Sequence, residues 1–366
     1  MSYKVFVINP GSTSTKLAYF DGEDKLFETN VFHDAPELAK FPTINDQLPY
    51  RMEVIQQFLK ENDIDLTGVD AIVGRCGACV PCEGGVYEIT DLLINDCKNA
   101  AGGVEHPSNL GVQLAAGLQK IYGGRAFTVD SPKTDEFQEV ARITGVKGIY
   151  RASNVHALNI KGTAKKHCRI NGLDYKNSSF IVCHIDGGIT ISALKNGRII
   201  DATDNAGGEG PFTPTRTGAL PISGVFDTFF GKDLKESKKV LTRTGGFVSY
   251  FGTSNSDKVH QMVQDGDREA SLVWNAMIYN ICKYIGSMAV VLDGKVDGIV
   301  CGGGLLRFED IKQQIEKSCG WIAPVSFYPG EVEHEAMATG AIRVLKGEEE
   351  PRIYTGQPVW NAPWCK

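Results

Sequence analysis

The sequence of 366 residues lacks the two most familiar nucleotide-binding signatures. Neither of its Gly-Lys pairs, Gly231-Lys232 and Gly294-Lys295, is followed by the serine or threonine of a P-loop. No glycine cluster has the spacing G-x-G-x-x-G, which argues against a Rossmann dinucleotide site. No apolar run approaches the ~20 residues of a membrane-spanning helix, and no signal-peptide-like leader precedes the first apolar run. We therefore expect a cytoplasmic protein that does not bind a membrane.

The sequence also lacks a block of basic residues. With 38 Lys and Arg against 44 Asp and Glu, the formal net charge is −6, and the basic residues are scattered along the chain. This distribution argues against nucleic acid as a partner, so any phosphate site must be a local pocket. The ten cysteines, without a leader, are expected to be reduced thiols. The chain length fits two domains better than one.

Glycine, in contrast, is abundant, and the 41 glycines make about 11% of the chain against ~7% in average proteins. A turn of small residues, NPGSTSTK at 9–16, joins the apolar runs VFVI and LAYF. Its hydroxyl groups, its lysine and the close backbone approach that Gly11 permits are what a phosphate group needs. The alternative interpretation is an ordinary hydroxyl-rich hairpin turn.

The second half of the chain repeats this opening plan. Apolar runs at 180–185, 189–194 and 199–202, separated by turns at 186–188 and 195–198, predict a second three-stranded meander. Helical spacing follows each meander, at 51–61, 108–122, 155–170, 270–292, 309–319 and 334–346, and short strands at 71–73, 126–129 and 298–301 alternate with these helices. The pattern predicts a duplicated α/β protein of the actin-like, sugar-kinase-like ATPase fold, with two domains around an ATP cleft. We expect domains at 1–150 and 151–337, with the C-terminal helix and tail (about 338–366) packing back on the first.

The motifs within this plan resemble those of the acetate kinase family, and of its butyrate kinase branch in particular. The similar segments extend to about Glu350 and include INPGSTSTK at 8–16, VGR at 73–75, GGVEHPSNLG at 102–111, Asp130 after a strand, HALN at 156–159, GEGPFTPTRTG at 208–218 and the segment that begins with YPGE at 328. The resemblance implies transfer of a phosphoryl group from ATP to a short-chain carboxylic acid, most simply butanoate, with ADP as the other product. It also implies at least a homodimer formed through the second domain.

By this resemblance, five residues act in catalysis. Arg75 and Arg216 hold the substrate carboxylate and the transferring phosphoryl group, since a guanidinium binds oxyanions bidentately and stays charged. His156 and His184 donate to phosphoryl oxygens, and Asp130 orients Arg75 or the metal shell. The alternatives are ion pairs for the arginines, structural hydrogen bonds for the histidines and a turn cap for Asp130.

The same resemblance assigns the ligands of Mg²⁺ and of the nucleotide. Asn9 and Glu333 bind Mg²⁺, with Glu331 and Glu335 competing with Glu333 for this role. The remaining nucleotide-binding residues form three groups. Ser12, Ser14 and Lys16 line the phosphates from the first turn, and Asp186, Gly187 and Gly188 belong to the second turn, which also binds the phosphates. Gly302, Gly303 and Gly304 lie beside the adenosine.

Two features depart from the family pattern. Asp186 stands where a small residue, often glycine, is usual, and a carboxylate beside ATP phosphates is repulsive unless it binds Mg²⁺ or points away. Cys76, Cys79 and Cys82 have the spacing C-x-x-C-x-x-C beside Arg75, and they act either as small apolar fillers, which we prefer, or as ligands of zinc or an iron–sulfur cluster, with Cys97 or His106 as a fourth ligand.

Two other functions stay open at this point. A sugar or amino-sugar kinase of the same fold would need a carboxylate base, for which Asp130 or Asp186 are available. A catalytically weak, ATP-binding relative is the other alternative, which Asp186 supports. The acyl chain length, the physiological direction and the size of the oligomer cannot be inferred from the residues, since one methylene changes discrimination by only ~1–3 kcal/mol.

Overall fold

A computed structural model describes residues 2–77, 79–103, 105–204 and 206–362, and it contains two mixed β-sheets. Val104 and Ala78, which fall in two of the segments discussed above, lie outside the described residues. The chain divides into two units, of which the first comprises Met1–Asp135 with Glu333–Lys366 and the second Glu136–Val332. This division falls between residues 135 and 136, and the expected domain boundary at 150/151 stays a prediction.

The first unit is built on a six-stranded sheet. Its strands are β1 (Lys4–Pro10), β2 (Ser14–Asp21), β3 (Asp24–Phe32), β4 (Ala71–Gly74), β5 (Val86–Glu88) and β6 (Arg125–Val129). The order is β3-β2-β1-β4-β6-β5, with an antiparallel meander β1–β3 and parallel pairing of β1 with β4 and of β4 with β6.

The second unit contains a five-stranded sheet of the same plan. Its strands are β7 (Ser179–Ile185), β8 (Ile189–Lys195), β9 (Arg198–Ala202), β10 (Gly298–Gly303) and β11 (Val325–Pro329). The order β9-β8-β7-β10-β11 repeats β3-β2-β1-β4-β6 position by position, again with an antiparallel meander followed by parallel strands. The predicted duplication of an α/β domain is therefore confirmed.

Twelve helices surround these sheets in the described part of the chain. They are α1 (Ala35–Leu38), α2 (Leu48–Glu61), α3 (Asp91–Lys98), α4 (Gly111–Tyr122), α5 (Ala157–Asn171), α6 (Ile222–Phe229), α7 (Leu234–Thr242), α8 (Phe247–Phe251), α9 (Ser256–Gln264), α10 (Arg268–Val291), α11 (Glu309–Cys319) and α12 (Glu333–Leu345). Short 3₁₀ turns occur at Asn45–Gln47, Pro107–Leu110, Glu139–Arg142 and Gly304–Arg307. None of the described helices combines the length and the apolar character that a bilayer span requires.

The central strand of each unit is buried along nearly its whole length. Val5, Phe6, Val7 and Ile8 of β1 have no exposed surface, which is expected for a strand covered on both faces and explains its continuous apolar run. Helix α4 comes especially close to the end of β4, since a Cβ on Gly74 would lie only 2.1 Å from the carbonyl oxygen of Gly111. This glycine contact fixes where the chain leaves β4, immediately before Arg75.

A buried ion pair near the start of the second unit leads to a stability prediction. The Lys161 ammonium donates to both carboxylate oxygens of Glu136, at 2.7 and 2.8 Å, and the two side chains are only 5% and 3% exposed. Lys161→Met leaves the Glu136 carboxylate buried without its cation, so we expect the free energy of unfolding in urea to fall by about 3–5 kcal/mol. The control variant Lys195→Met, at an exposed position of β8 in the same unit, should change it by less than about 1 kcal/mol. Equal effects of the two variants would contradict the prediction.

Candidate functional site

The first predicted phosphate turn is a tighter hairpin than the sequence suggested. Strands β1 and β2 continue through most of the motif at 9–16, so that only residues 11–13 form the loop, closed by a 2.7 Å hydrogen bond from Gly11 N to Ser14 O. Asn9 lies directly opposite Lys16 in the strand pairing. Because opposite and alternate residues of an antiparallel pair share a face, Asn9, Ser14 and Lys16 are on one side of the sheet. Ser12 is exposed in the loop.

Three predicted residues from distant parts of the first unit meet next to this hairpin. The Asn9 amide nitrogen donates to Glu333 Oε2 at 2.7 Å, and Arg75 Nη2 lies 3.8 Å from Glu333 Oε1. Arg75 itself is only 7% exposed. Glu333 is the first residue of α12, where a helix N-terminus favours a negative charge. Of the three competing glutamates, Glu333 is therefore the one found against both Asn9 and Arg75.

Asp130 contacts Arg75 with its backbone and not with its carboxylate. It follows β6 with a positive φ of 40°, a conformation that costs a non-glycine residue energy and occurs at functional sites. Its carboxylate accepts a 2.8 Å hydrogen bond from Gly85 N, while its carbonyl oxygen is 3.5 Å from Arg75 Nη1. Asp130 therefore lies next to Arg75, while its carboxylate binds the bend at Gly85.

Two histidines of the first unit have pKa values that burial and nearby charges shift. Burial, and after it the charges of Arg75 and Arg51, lower the pKa of His106. Burial likewise lowers the pKa of His334, while Glu28 and Glu333 oppose this shift and Lys16 adds a smaller lowering effect. His106 hydrogen-bonds the Ser108 hydroxyl at 2.8 Å. Cations that disfavour protonation of a nearby imidazole also favour a bound anion.

In the second unit, the two predicted histidines lie side by side. His156 immediately precedes α5, His184 lies in β7, and their ring centroids are 4.5 Å apart. His156 Nδ1 and the Thr190 hydroxyl are within 2.8 Å, and Thr190 is paired with His184 across β7 and β8. The strand pairing and this hydrogen bond together fix the orientation of the His156 ring.

Asp186 joins the two glycine turns of the second unit. One carboxylate oxygen accepts from Gly187 N at 2.7 Å, and the other accepts from Gly304 N at 2.8 Å. The two turns that we assigned to the nucleotide, 186–188 and 302–304, are therefore in contact, and the sequence gave no sign that the carboxylate binds their N–H groups. Gly303 has a structural reason of its own, since a Cβ there would lie 2.3 Å from the Ile185 carbonyl oxygen. Gly302 similarly faces Thr163.

Arg216 lies in a separate loop of the second unit that glycine packing holds in place. Thr213 N donates to Arg216 O at 3.0 Å, and Arg216 N donates to the Thr213 hydroxyl at 3.2 Å. A Cβ at Gly246 would lie 1.6 Å from the Thr213 carbonyl oxygen, so only glycine permits this approach. Burial lowers the pKa of the Arg216 guanidinium, and Asp204 partly offsets this effect. A largely desolvated cation interacts more strongly with an anion than an exposed one.

The cysteines beside Arg75 form a packed cluster. The Sγ atoms of Cys76 and Cys97 are 3.4 Å apart, and Cys79 Sγ is 3.2 Å from the Ser131 hydroxyl. A hydrogen bond to Cys79, and then burial, raise the pKa of the Cys82 thiol. Among the described residues, no group of three or more His, Cys, Asp or Glu side chains is arranged to hold a metal ion. The apolar-filler interpretation agrees with these contacts and stays a prediction.

Solved structures identify the fold that these two matching units form. An acetate kinase from Porphyromonas gingivalis matches with a TM-score of 0.77 at 19% identity, covering 94% of this chain and 100% of that one. A propionate kinase from Francisella tularensis matches with a TM-score of 0.73 at 17% identity, covering 92% and 98%. A putative N-acetylmannosamine kinase from Listeria monocytogenes matches with a TM-score of 0.51 at 15% identity, covering 94% and 100%. The protein therefore has the actin-like ATPase fold in the form found in acetate kinases.

Sequence relatives narrow this class to one family. A probable butyrate kinase from Clostridium botulinum (strain Alaska E43 / Type E3) is 41% identical over 357 residues, covering 97% of this chain and 100% of the relative. A probable butyrate kinase 2 from Caldanaerobacter subterraneus subsp. tengcongensis is 42% identical over 354 residues, covering 96% and 99%. The family model of the acetokinase family matches residues 146–319. The chain belongs to the acetokinase family.

One residue next to the first loop escaped the sequence analysis. Arg51, on α2, is fully buried and donates hydrogen bonds to the hairpin at Gly11 and Ser14. The helical pattern at 51–61 placed it on a helix, but nothing in a single sequence distinguishes a buried arginine from the usual solvated one. The available signal is its position at the start of 51–61, the first helix that the sequence predicted after the phosphate turn.

Proposed function

We propose that this protein transfers the γ-phosphoryl group of ATP to a short-chain carboxylic acid, most simply butanoate, in the reversible reaction butanoate + ATP = butanoyl phosphate + ADP. The observation that carries the proposal is the meeting of Arg75, Asn9 and Glu333 beside the β1–β2 hairpin. Relatives that are 41–42% identical over nearly the whole chain and are named probable butyrate kinases support the choice of acid.

The chemistry requires no general base. The carboxyl group of the acid is ionised near neutral pH, because its pKa is about 4. A carboxylate oxygen forms a bond to the γ-phosphorus, the bond from that phosphorus to the β–γ bridging oxygen breaks, and its electron pair leaves with ADP. The difficulty is to bring two anions together and to stabilise the charge on the transferring group.

Cations and oriented donors of this chain supply that stabilisation. We assign Arg75 and Arg216 to the carboxylate and to the transferring phosphoryl group, since both guanidinium groups are mostly buried and stay charged. His156 and His184 donate to phosphoryl oxygens, and the contact at 2.8 Å with the Thr190 hydroxyl orients His156. Asp130 positions Arg75 through its carbonyl oxygen.

The residues near Glu333 fit a magnesium ion by their chemistry. A carboxylate and an amide oxygen are ligands that Mg²⁺ prefers, and the 2.7 Å hydrogen bond from Asn9 Nδ2 leaves the Asn9 Oδ1 atom for another partner. Asn9 and Glu333 would hold the ion, in part through water. When bound, Mg²⁺ neutralises charge on the phosphate oxygens of the nucleotide.

The remaining predicted residues are assigned to the nucleotide. Ser12, Ser14 and Lys16 bind its phosphates from the first hairpin, which the position of Ser14 and Lys16 on one face supports. Gly187 and Gly188 bind phosphates from the second turn, and 302–304 lie beside the adenosine. The direct contacts between 186–188 and Gly304 support this grouping.

We also propose that two copies associate through the second unit. Helix α6 and the residue after it expose large apolar side chains, with Ile222, Phe226 and Phe230 at 72%, 62% and 88% exposure. A cluster of this kind usually marks a protein interface. We further propose a cytoplasmic location, where a reducing environment keeps close thiols such as Cys76 and Cys97 from pairing.

Trapping of the acyl phosphate with hydroxylamine tests the proposed reaction. The purified protein is incubated with Mg-ATP and hydroxylamine, and acetate, propionate, butyrate, isobutyrate and isovalerate are offered separately. We expect more acyl hydroxamate from the C4 or branched acids than from acetate. If no acid gives hydroxamate while ATP still binds, the proposed reaction is wrong.

Asp186 provides a prediction on nucleotide affinity. Its carboxylate occupies two N–H donors of the glycine turns and adds a negative charge where phosphates are proposed to bind. We expect Asp186→Gly to lower the Kd for ATP about fivefold, since two charges ~4 Å apart in water interact by ~1 kcal/mol. Asp186→Asn should act in the same direction but less, because its amide oxygen still accepts one N–H bond.

Titration calorimetry with ATP, with and without Mg²⁺, measures these affinities. Asp293→Asn, an exposed change in the same unit at a position where asparagine tolerates the positive φ of 56°, is the matched control and should bind ATP like the parent protein. Unchanged ATP affinity and Mg²⁺ dependence in both Asp186 variants would mean that Asp186 is a bystander.

A further inference from the structure

Arg51 is a fully buried cation under the first hairpin. It is the fourth residue of α2 and has no exposed surface. Its Nη2 donates to Gly11 O at 3.0 Å, and its Nη1 donates to Ser14 O at 3.3 Å and to the Thr15 hydroxyl at 3.0 Å. Nε and Nη2 also donate to Gln47 Oε1, at 3.1 and 3.0 Å. All of these acceptors are neutral oxygen atoms.

The charge of Arg51 is not balanced by a carboxylate among the described residues. Burial lowers the pKa of Arg51 to about 10, and the phenol of Tyr50 is the one group found to oppose this shift. The guanidinium therefore stays charged near neutral pH. Burial and then the charge of Arg51 lower the pKa of His33 to about 4, so this neighbouring imidazole, 2.8 Å from the Thr15 hydroxyl, is neutral at the same pH. A buried cation without a counter-ion is costly and persists where a ligand or a function compensates it.

The hydrogen bonds of Arg51 also determine which way the loop faces. The carbonyl oxygen of Gly11 points toward the guanidinium. In a planar trans peptide the carbonyl and the following N–H point in opposite directions, so the N–H of Ser12 points away from Arg51. That donor is then directed outward, on an exposed loop that already carries the Ser12 hydroxyl.

We propose that Arg51 is a positioning residue for nucleotide phosphate: it holds the 11–14 hairpin with its Ser12 N–H outward, and its uncompensated charge favours an anion on this loop. This inference rests on the proposed reaction. It adds to that proposal a residue that does not touch the substrate. Because Arg51 acts on phosphate binding alone, its replacement lowers the affinity for ligands that carry phosphate groups and leaves the affinity for ligands without phosphate unchanged.

The test compares a phosphorylated with an unphosphorylated ligand in the same variant. Arg51→Lys keeps a positive charge but loses the planar fork that reaches Gly11, Ser14 and Thr15 together. We expect its inhibition constant for ADP, measured against ATP in the hydroxamate assay, to rise by about tenfold, the loss of one charge-assisted hydrogen bond. The inhibition constant for adenosine, and the KM for the carboxylic acid, should stay within about twofold.

Two further variants keep the test decisive. Arg142→Lys replaces another buried arginine, which donates to Phe137 O at 2.9 Å in the second unit, and should leave the ratio of the ADP and adenosine constants unchanged. Gln47→Ala keeps Arg51 but removes the side-chain oxygen that accepts hydrogen bonds from its Nε and Nη2 atoms. We expect this variant to raise the inhibition constant for ADP by about threefold. If Arg51→Lys does not fold, as judged by urea unfolding, Gln47→Ala carries the test.

Each outcome has a separate meaning. A rise for ADP without a rise for adenosine supports the role of Arg51. Equal changes for both ligands, or no change for either, overturn it even if the parent protein forms acyl hydroxamate. A parent protein that forms no hydroxamate from any acid refutes the proposed reaction instead, and the ADP and adenosine affinities of the variants, measured by calorimetry, then decide the role of Arg51 on their own.

Discussion

Replacing Arg216 by alanine should lower kcat/KM for acyl hydroxamate formation by about three orders of magnitude. The loop that carries Arg216 is fixed by its hydrogen bonds to Thr213 and by the close approach of Gly246, so the backbone from which the guanidinium extends has a defined conformation. Preorganised cations that stabilise a transferring phosphoryl group contribute about 10³–10⁵ in rate. Alanine removes that charge from a mostly buried position.

Two further variants define the cause of this loss. Arg216→Lys restores a point charge without the bidentate fork, so we expect it to recover part of the activity, to within about 100-fold of the parent protein. Arg243→Ala removes an exposed arginine of the same unit and should stay within about twofold. Steady-state assays with butyrate and Mg-ATP measure all three. A loss of less than tenfold in Arg216→Ala would exclude Arg216 from the proposed role.

Glu333→Gln should raise the Mg²⁺ concentration for half-maximal activity by about 10- to 100-fold. The change is nearly isosteric and keeps an oxygen that accepts from Asn9, but it removes the negative charge that Mg²⁺ and Arg75 both face. The same change removes the carboxylate that lies 3.8 Å from the mostly buried Arg75 guanidinium, so we expect the free energy of unfolding to fall as well, and the Mg²⁺ dependence is measured under conditions in which the variant is folded. Magnesium titrations of the hydroxamate assay, followed by urea unfolding, measure the two quantities.

The neighbouring glutamate is the matched control for this variant. Glu331 is exposed and lies two residues earlier, before α12 begins, so Glu331→Gln removes the same charge at nearly the same distance along the chain. It should leave the Mg²⁺ dependence within about twofold. If Glu331→Gln and Glu333→Gln shift the Mg²⁺ dependence equally, the effect is one of general charge and the assignment of Glu333 is wrong.

The sequence predicted the helices and strands whose hydrophobic pattern can be recognised within the element itself. The buried runs of β1 and β7, the meanders that follow them and the long amphipathic helix α10 were identified within one to three residues, because burial on both faces or on one face leaves a direct pattern. The segment from α6 to α9 was missed as helical, because its short helices are separated by glycines and carry exposed apolar residues. Strand β5 has only three residues and exists through its pairing with β6.

The sequence indicated which residue types belong to the candidate site, but it did not indicate which of these residues contact one another. Arg75 and Glu333 were named from motifs more than 250 positions apart, but only the tertiary structure shows that Glu333 lies 3.8 Å from Arg75. The hydrogen bonds of Asp186 to Gly187 and Gly304 depend on a contact between two turns that no local rule predicts. The role of Arg51 could not be predicted from the sequence, because arginine is seldom fully buried and the residues around it have the pattern of an ordinary helix.

The division of the chain has a consequence for the order in which the protein matures on the ribosome. The second unit is one uninterrupted stretch, Glu136–Val332, whereas the first unit takes its last helix, α12, from the residues made after that stretch. Domains generally fold as units while synthesis proceeds from the N-terminus. Here the synthesis of the second unit is complete at Val332, before that of the first unit. The first unit cannot be complete until α12 has been synthesised. Glu333 arrives with that helix, so a nascent chain that ends at Val332 lacks the carboxylate that we assign to Mg²⁺.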